Sequence, residues 1–224
     1  MICRVLFLTI VLNVAMPSFT QNAEALRDSL SAAIMQLEYY PDSVSLRMKK
    51  AGWNIELEQW QYALDEYDYV LRKDPENATA LFYRAFVNER QGRYNFARSD
   101  YESLLSLVPG NFEVRLCLAL LNQKDNRTTE ALDQINQLVE HFPDSAVTYA
   151  VRAGIELDRG MKEIAEYDYS KAIERDSNNV DYRLNRAVVR IELNRKKEAR
   201  EDLDALVLMG VPRASLKIYY DNCR

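Results

Sequence analysis

Histidine and cysteine, the side chains that most often bind zinc or act as nucleophiles, are scarce in this chain. The 224 residues include one histidine, His141, and three cysteines. A zinc site needs several such ligands, and a histidine-dependent hydrolase needs a nucleophile beside its base. His141 stands before Phe142 and Pro143 at a predicted helix end, where it can interact with the last carbonyl groups. We therefore predict no metal site and no catalytic histidine.

Other catalytic and cofactor-binding motifs are not found in the sequence. There is no glycine-flanked nucleophilic serine, no glycine loop to hold a phosphate and no pair of histidines on a helix. Asp65, Glu66 and Asp68 are clustered, but such a run is usually a solvated helix face. We predict that the protein is not an enzyme and binds no cofactor. An enzyme or small-molecule binder built on the same scaffold would instead show a closed, polar pocket.

The amino-acid composition indicates the fold class and excludes one class of partner. Acidic residues outnumber basic ones by 34 to 29, so no positive charge is left to neutralise nucleic-acid phosphates. The hydrophobic fraction of 48% is enough for a packed domain. Six glycines and six prolines are few for this length, which favours helices with short connections. We expect an all-α protein that does not bind nucleic acid.

The first twenty residues have the layout of a signal peptide. Arg4 precedes an apolar run from Val5 to Ala15, and Pro17 ends it. We expect cleavage near Thr20, no membrane span afterwards, and export to the periplasm or the exterior, with a bacterial envelope as the expected compartment. The alternative is an uncleaved N-terminal anchor.

A period of 34 residues runs through the rest of the chain. Alanines mark it twice, and both halves of each unit show the spacing of an amphipathic helix. Prolines close the units, and Gly92 and Gly160 lie at the turn between the two helices. The alanine series are Ala51, Ala85, Ala119, Ala153, Ala187 and Ala63, Ala97, Ala131, Ala165, Ala199, and the prolines are Pro41, Pro75, Pro109 and Pro143. Each unit is therefore predicted to be a helical hairpin.

This pattern resembles the tetratricopeptide repeat, and the second unit matches best, at Ala85, Gly92, Tyr94, Ala97, Tyr101 and Pro109. The resemblance implies a right-handed superhelical solenoid of antiparallel hairpins. We assign a signal peptide to residues 1–20, a single helix to 21–41 and a capping helix to 212–224. The five repeats between them, called repeats 1 to 5 below, are 42–75, 76–109, 110–143, 144–177 and 178–211.

The chain departs from the family where charged residues occupy apolar sites of the first helix. An acid follows each of these cations by 16 residues, a spacing that brings the helices of one hairpin together. We predict an ion pair in each of four repeats: Lys50 with Glu66, Arg84 with Asp100, Arg152 with Asp168, and Arg186 with Asp202. Repeat 3 has Leu118 and Gln134 instead, which favours a structural pair over a charged ladder that grips a ligand.

The resemblance also implies a peptide or protein partner on a concave face lined by the first helices. The candidate residues are Met48, Phe82, Tyr83, Phe86, Arg90, Glu113, Leu116, Leu120, Lys124, Leu184 and Val188. Phe82 and Phe86 are the best candidates, because exposed aromatic anchors dominate recognition; packing is the alternative for an apolar row. The family's cationic clamp for a C-terminal carboxylate is lacking, since its positions hold Met48, Gly52, Tyr83, Glu113 and Cys117.

We conclude from the sequence that the chain is an exported interaction module of the scaffold or adaptor type. The alternative is a structural subunit that forms a homo-oligomer through its tyrosine-rich surface and binds no separate ligand. Cys117 is predicted to be a small core residue, and Cys223 a thiol near the C-terminus that is available for pairing between chains.

Overall fold

A computed structural model describes residues 19–224, with side chains from residue 23 onward. Residues 1–18, which hold most of the predicted signal peptide, lie outside the described part. Within that part the chain forms twelve helices and no strand. They are α1 (Phe19–Tyr39), α2 (Val44–Glu56), α3 (Trp60–Lys73), α4 (Ala78–Arg90), α5 (Tyr94–Leu107), α6 (Phe112–Lys124), α7 (Thr128–His141), α8 (Ala146–Asp158), α9 (Lys162–Arg175), α10 (Val180–Glu192), α11 (Lys196–Leu208) and α12 (Lys217–Asn222).

The chain divides after Ala80 into two compact units. In the first unit α1 packs on α2, and α2 pairs with α3. In the second unit α6 pairs with α7, α8 with α9, and α10 with α11, while α12 packs on the last pair. Each hairpin of this second unit also contacts the next one, through α5 and α6, α7 and α8, and α9 and α10. Each predicted repeat thus contains two helices.

The turn inside each hairpin has the same backbone conformation. A residue with positive φ follows the end of the first helix in every repeat. These residues are Glu58, Gly92, Asn126, Gly160 and Asn194, again 34 residues apart. In repeat 2 the Arg93 N–H donates to the Asn88 carbonyl over 2.8 Å, so the turn satisfies a carbonyl at the helix end. Glycine adopts this conformation at little cost, as predicted at Gly92 and Gly160, whereas Glu58 adopts it with a side chain.

Alanines let the helices of each hairpin approach closely. Ala85, Ala97, Ala153 and Ala165 have no exposed surface, and the other alanines of the two series are equally buried. Tyrosines and aliphatic residues of the second helices fill the space beside them, with Tyr101 and Tyr169 each 1% exposed. The spacing of 34 residues in the sequence therefore marks the buried contact between paired helices.

The four predicted ion pairs are confirmed. Arg84, Arg152 and Arg186 each hold their aspartate with two hydrogen bonds, and Lys50 donates to Glu66 over 2.6 Å. The arginines also reach the preceding repeat, because Arg152 Nη1 donates to Asn136 Oδ1 and Arg186 Nη1 donates to Ser170 Oγ. These side chains therefore join the two helices of one hairpin and, in the second unit, two successive hairpins.

Cys223, which the sequence analysis places near the C-terminus as a thiol available for pairing between chains, is buried in the structure. Cys223 is 7% exposed and packs in the core formed by α10, α11 and α12, beside Leu206, Leu216 and Tyr220. The helix α12 turns the last residues back onto α11, where Tyr220 donates a hydrogen bond to Asp204 over 2.7 Å. The thiol is therefore part of the packing at the end of the second unit.

Candidate functional site

The aromatic candidates lie on α4 in the second compact unit. Phe82 and Phe86 are half-buried, and Tyr83 is 43% exposed. The ring of Phe82 makes edge contacts with Tyr83 and Tyr101, at centroid distances of 5.5 and 6.1 Å. Because Tyr101 is buried, it supports Phe82 from the core side. The helix thus presents aromatic surface that is fixed in place by the packing beneath it.

A polar network lies beside these rings. Glu89 accepts a hydrogen bond from the Tyr101 hydroxyl over 3.4 Å and pairs with the Lys124 ammonium at 2.5 Å. Burial, followed by the nearby carboxylates Glu89 and Glu113, raises the pKa of the Cys117 thiol to about 11. The ion pair links α4 to α6, the first helices of repeats 2 and 3.

Arg90 lies next to the exposed aromatic surface. Its guanidinium carbon is 5.9 Å from the centre of the Phe86 ring, within the range of a cation–π interaction. Arg90 and Lys124 are exposed, and so is Glu113 on α6. A partner on this surface would therefore meet the guanidinium of Arg90 beside the Phe86 ring, with the Lys124–Glu89 ion pair between α4 and α6.

Leu116 differs from the sequence-based prediction. It is only 8% exposed and packs with Ala119, Ile135 and Val151 in the core of repeats 3 and 4. Leu120 packs against the same core with part of its surface exposed. The hydrophobic row on α6 therefore serves mainly to pack the repeats, and Leu116 is removed from the candidate face.

The remaining candidates are more scattered. Leu184 and Val188 on α10 are partly exposed, and Leu184 packs against the core that contains Leu203. Met48 on α2 belongs to the first compact unit and is partly buried. Phe82, Tyr83, Phe86, Arg90 and Lys124 are thus the candidates that the structure gathers around α4 and α6.

Glu89 was not found by the sequence analysis. Its role depends on contacts with α5 and α6, which spacing along α4 does not reveal. The available signal was its position as the second-last residue of α4, on the helix that carries Phe82 and Phe86. An acid there can pair with a cation from the next first helix, as it does with Lys124.

Among the described residues, Glu156 is a buried carboxyl group without an ion pair. Glu156, near the end of α8, is 5% exposed, and its Oε2 accepts no hydrogen bond from the described side chains or backbone. Burial, and then the negative charge of Asp168, raises the pKa of Glu156 to about 7, although Arg152 acts in the opposite direction. This carboxyl therefore favours its protonated form below neutral pH.

No helix between residues 19 and 224 combines the length and the hydrophobicity needed to cross a membrane.

Solved structures show the same architecture. A tetratricopeptide repeat protein from Parabacteroides merdae is 20% identical, with a TM-score of 0.67 over 91% of this chain and 80% of that one. MamA from Desulfovibrio magneticus is 16% identical, with a TM-score of 0.65 over 75% of this chain and 94% of that one. YrrB, described as a tetratricopeptide repeat protein with an unusual peptide-binding site, is 20% identical, with a TM-score of 0.58 over 80% of this chain and 93% of that one.

Sequence comparison agrees with the structural likeness. A curated relative from rice, DnaJ protein P58IPK homolog B, is 25% identical over 186 residues. That match includes 80% of this chain, which spans only 36% of the relative's length. The sequence model of the tetratricopeptide repeat matches residues 55–112, and the same hairpin recurs beyond that segment. Residues 55–112 therefore match the tetratricopeptide repeat, and the chain has the fold of solved tetratricopeptide repeat proteins.

Proposed function

We propose that the protein is an exported scaffold that binds a peptide or protein through the first-helix face around α4 and α6. The observation that carries this proposal is the aromatic group Phe82, Tyr83 and Phe86, which is partly exposed while the ring of Phe82 packs against the buried Tyr101. A rigid aromatic surface with charges at its edge has the composition of an interaction hot spot.

The comparisons support this proposal at the level of the fold. YrrB is described as having a peptide-binding site, and it shares the hairpin architecture. For this chain the candidate surface is assigned from its own residues, since the likeness to YrrB is 20% in sequence.

Export is proposed from the order of residues in segment 1–20, where Arg4, an apolar run and Pro17 follow one another. Expression of the full chain in a bacterial host, followed by fractionation and mass spectrometry of the N-terminus, tests it. A mature form that begins near residue 21 outside the cytoplasm is expected. A full-length cytoplasmic protein would contradict the export proposal and leave the binding proposal standing.

Peptide binding is tested by selecting peptides from a random display library on the wild-type chain and measuring their dissociation constants. The test variant is Phe86→Ser, and the matched control is Phe96→Ser, which removes an aromatic ring that is 67% exposed on α5. We expect Phe86→Ser to weaken binding by about tenfold or more, as for a hot-spot aromatic residue, and Phe96→Ser to leave it unchanged. Equal affinities for all three proteins would place binding on another surface.

Self-association is the competing function, and exposed tyrosines favour it. Tyr39, Tyr40, Tyr62 and Tyr167 are between 59% and 79% exposed. Light scattering of the purified chain separates the two functions. A stable dimer that dissociates in the Tyr167→Ser variant would favour the structural subunit.

A further inference from the structure

A cavity of about 230 Å³ opens in the second compact unit between α5, α6 and α7. Leu105 and Pro109 form one side, Arg115 and Leu118 on α6 form another, and Gln134 and Gln137 on α7 complete it. The cavity therefore combines an apolar wall with one guanidinium and two amide groups.

The cavity occupies the place where other repeats have their ion pair. Leu118 and Gln134 stand at the positions of Arg152 and Asp168 in repeat 4, whose side chains bond to each other across the hairpin. Leucine is shorter than arginine and forms no hydrogen bond to Gln134. Repeat 3 therefore has space where a guanidinium and a carboxylate meet in the next hairpin.

Arg115 is a cation that faces this space. Its Nε donates to the Pro109 carbonyl over 2.8 Å. Arg47, at the same position in repeat 1, pairs with Glu66 at 2.7 Å. For Arg115, no carboxylate of the described residues lies within ion-pair distance. The cavity thus contains the arginine that corresponds to Arg47, but no acid that corresponds to Glu66.

The side-chain amide of Gln134 has a fixed orientation. An arginine side chain can only donate hydrogen bonds. The atom of Asn122 that lies 2.9 Å from Arg98 Nε must therefore be the accepting Oδ1. The Asn122 amide must then donate to Gln134 Oε1, also over 2.9 Å. This leaves the NH₂ group of Gln134 as a donor for the cavity, in addition to the guanidinium of Arg115.

We propose that this cavity binds a carboxylate on a short aliphatic stem. The carboxylate would accept hydrogen bonds from Arg115 and Gln134, a charge-assisted pairing that supplies the acid lacking in repeat 3. The stem would pack on Leu105 and Leu118. The ligand is either a small free carboxylic acid or a glutamate side chain of a bound protein, since both carry this group.

The site is separate from the face proposed above. Arg115 and Leu118 lie on the opposite side of α6 from Glu113 and Leu120, because each residue turns the helix by about 100°. Loss of peptide binding in Phe86→Ser and loss of carboxylate binding here are therefore independent outcomes.

Two-dimensional ¹H–¹⁵N NMR of the full chain tests the proposal through the side-chain NH₂ signal of Gln134, assigned by its loss in Gln134→Glu. Butyrate is the probe for a free acid, and N-acetylglutamate α-amide is the probe for a protein side chain. Butyramide and N-acetylglutamine amide are the uncharged controls. We expect saturable shifts with at least one acid and none with the amides. The acid that binds more tightly identifies the source of the ligand.

Two variants that fill the cavity with a carboxylate of the protein itself provide a second test, and their backbone amide signals also show whether they fold. Gln134→Glu places a carboxylate beside Arg115, as Glu66 lies beside Arg47, and Leu118→Arg with Gln134→Asp installs the pair found in repeats 2, 4 and 5. Backbone amide signals of α6 and α7 report binding in both variants. We expect each to lose affinity by about tenfold or more, the effect of one charged hydrogen bond. Equal shifts with butyramide, no saturable shift with either acid, or unchanged butyrate affinity in both variants would overturn the proposal.

Discussion

The guanidinium of Arg152 holds the carboxylate of Asp168 with two hydrogen bonds, 2.5 Å from Nε to Oδ2 and 2.8 Å from Nη2 to Oδ1. The Asp168 side chain has no exposed surface, while 19% of the Arg152 side chain remains exposed. Since Arg152 also donates to Asn136 of the preceding repeat, this pair connects three helices. Leu118 and Gln134 replace it in repeat 3, which shows that the hairpin also forms without the charges.

Asp168→Ala is expected to destabilise the protein by about 3 kcal/mol or more, because it leaves a partly buried arginine without its acid. Arg152→Leu combined with Asp168→Gln introduces the residues of repeat 3, and we expect it to lower the free energy of unfolding by less than half as much. Urea denaturation measures both. The exposed pair of Lys171 and Glu174 provides the control, and Lys171→Ala is expected to leave the midpoint unchanged. A double variant as unstable as Asp168→Ala would contradict this account.

The turn residues with positive φ predict one stabilising and one destabilising substitution. Glu58 has φ of 56°, so Glu58→Gly is expected to stabilise the first unit by about 1 kcal/mol. Gly160 has φ of 75°, and a Cβ atom there would meet no atom within 4 Å. Gly160→Ala is therefore expected to destabilise the chain by about 1 kcal/mol through the backbone alone. Thermal denaturation measures both shifts, and a melting temperature that rises in Gly160→Ala would refute the strain argument.

Glu156 predicts a pH dependence of stability. Its pKa is about 7 in the folded chain and near 4.5 when unfolded, so the folded state binds more protons between these values. The free energy of unfolding therefore falls as pH rises from 4.5 to 7, by at most about 1.4 kcal/mol per pH unit from this group.

Glu156→Gln removes this titration while keeping the shape of the side chain. We expect the variant to be more stable than wild type at pH 8 and to differ little from it at pH 5. Urea titrations of both proteins across this range measure the difference. If the difference in unfolding free energy is the same at both pH values, Glu156 does not titrate as the structure requires.

The burial of Cys223 predicts that its thiol reacts slowly with labelling reagents. In a Cys3→Ser, Cys117→Ala background, we expect Ellman's reagent to react with Cys223 far more slowly in the native protein than in urea, because burial raises the pKa of the thiol and the core excludes the reagent. Rapid labelling of the native protein, or a disulfide-linked dimer, would contradict the burial of Cys223 and favour the pairing between chains that the sequence suggested.

Much of the fold follows from one spacing. Alanines 34 residues apart predicted the paired helices, and acids 16 residues after the cations predicted the ion pairs between them. Both predictions work because a repeated hairpin repeats its contacts.

The candidate site was harder to predict, since exposure depends on how neighbouring hairpins pack. Leu116 follows the same helical spacing as Phe82 but is buried beneath Val151. Glu89 and Gln134 acquire their roles from contacts with α6, which the spacing within one helix does not contain.

Photocrosslinking in source cells tests the central claim most directly. Benzoylphenylalanine is placed at Tyr83 in the proposed face and, as a control, at Phe96 on α5, both of which are exposed. The account predicts a crosslink to a protein partner from position 83 that is absent from position 96 and lost when Phe86→Ser is added. The same crosslinked product from both positions, or a product at position 83 that persists with Phe86→Ser, would contradict the proposal that this face binds the partner.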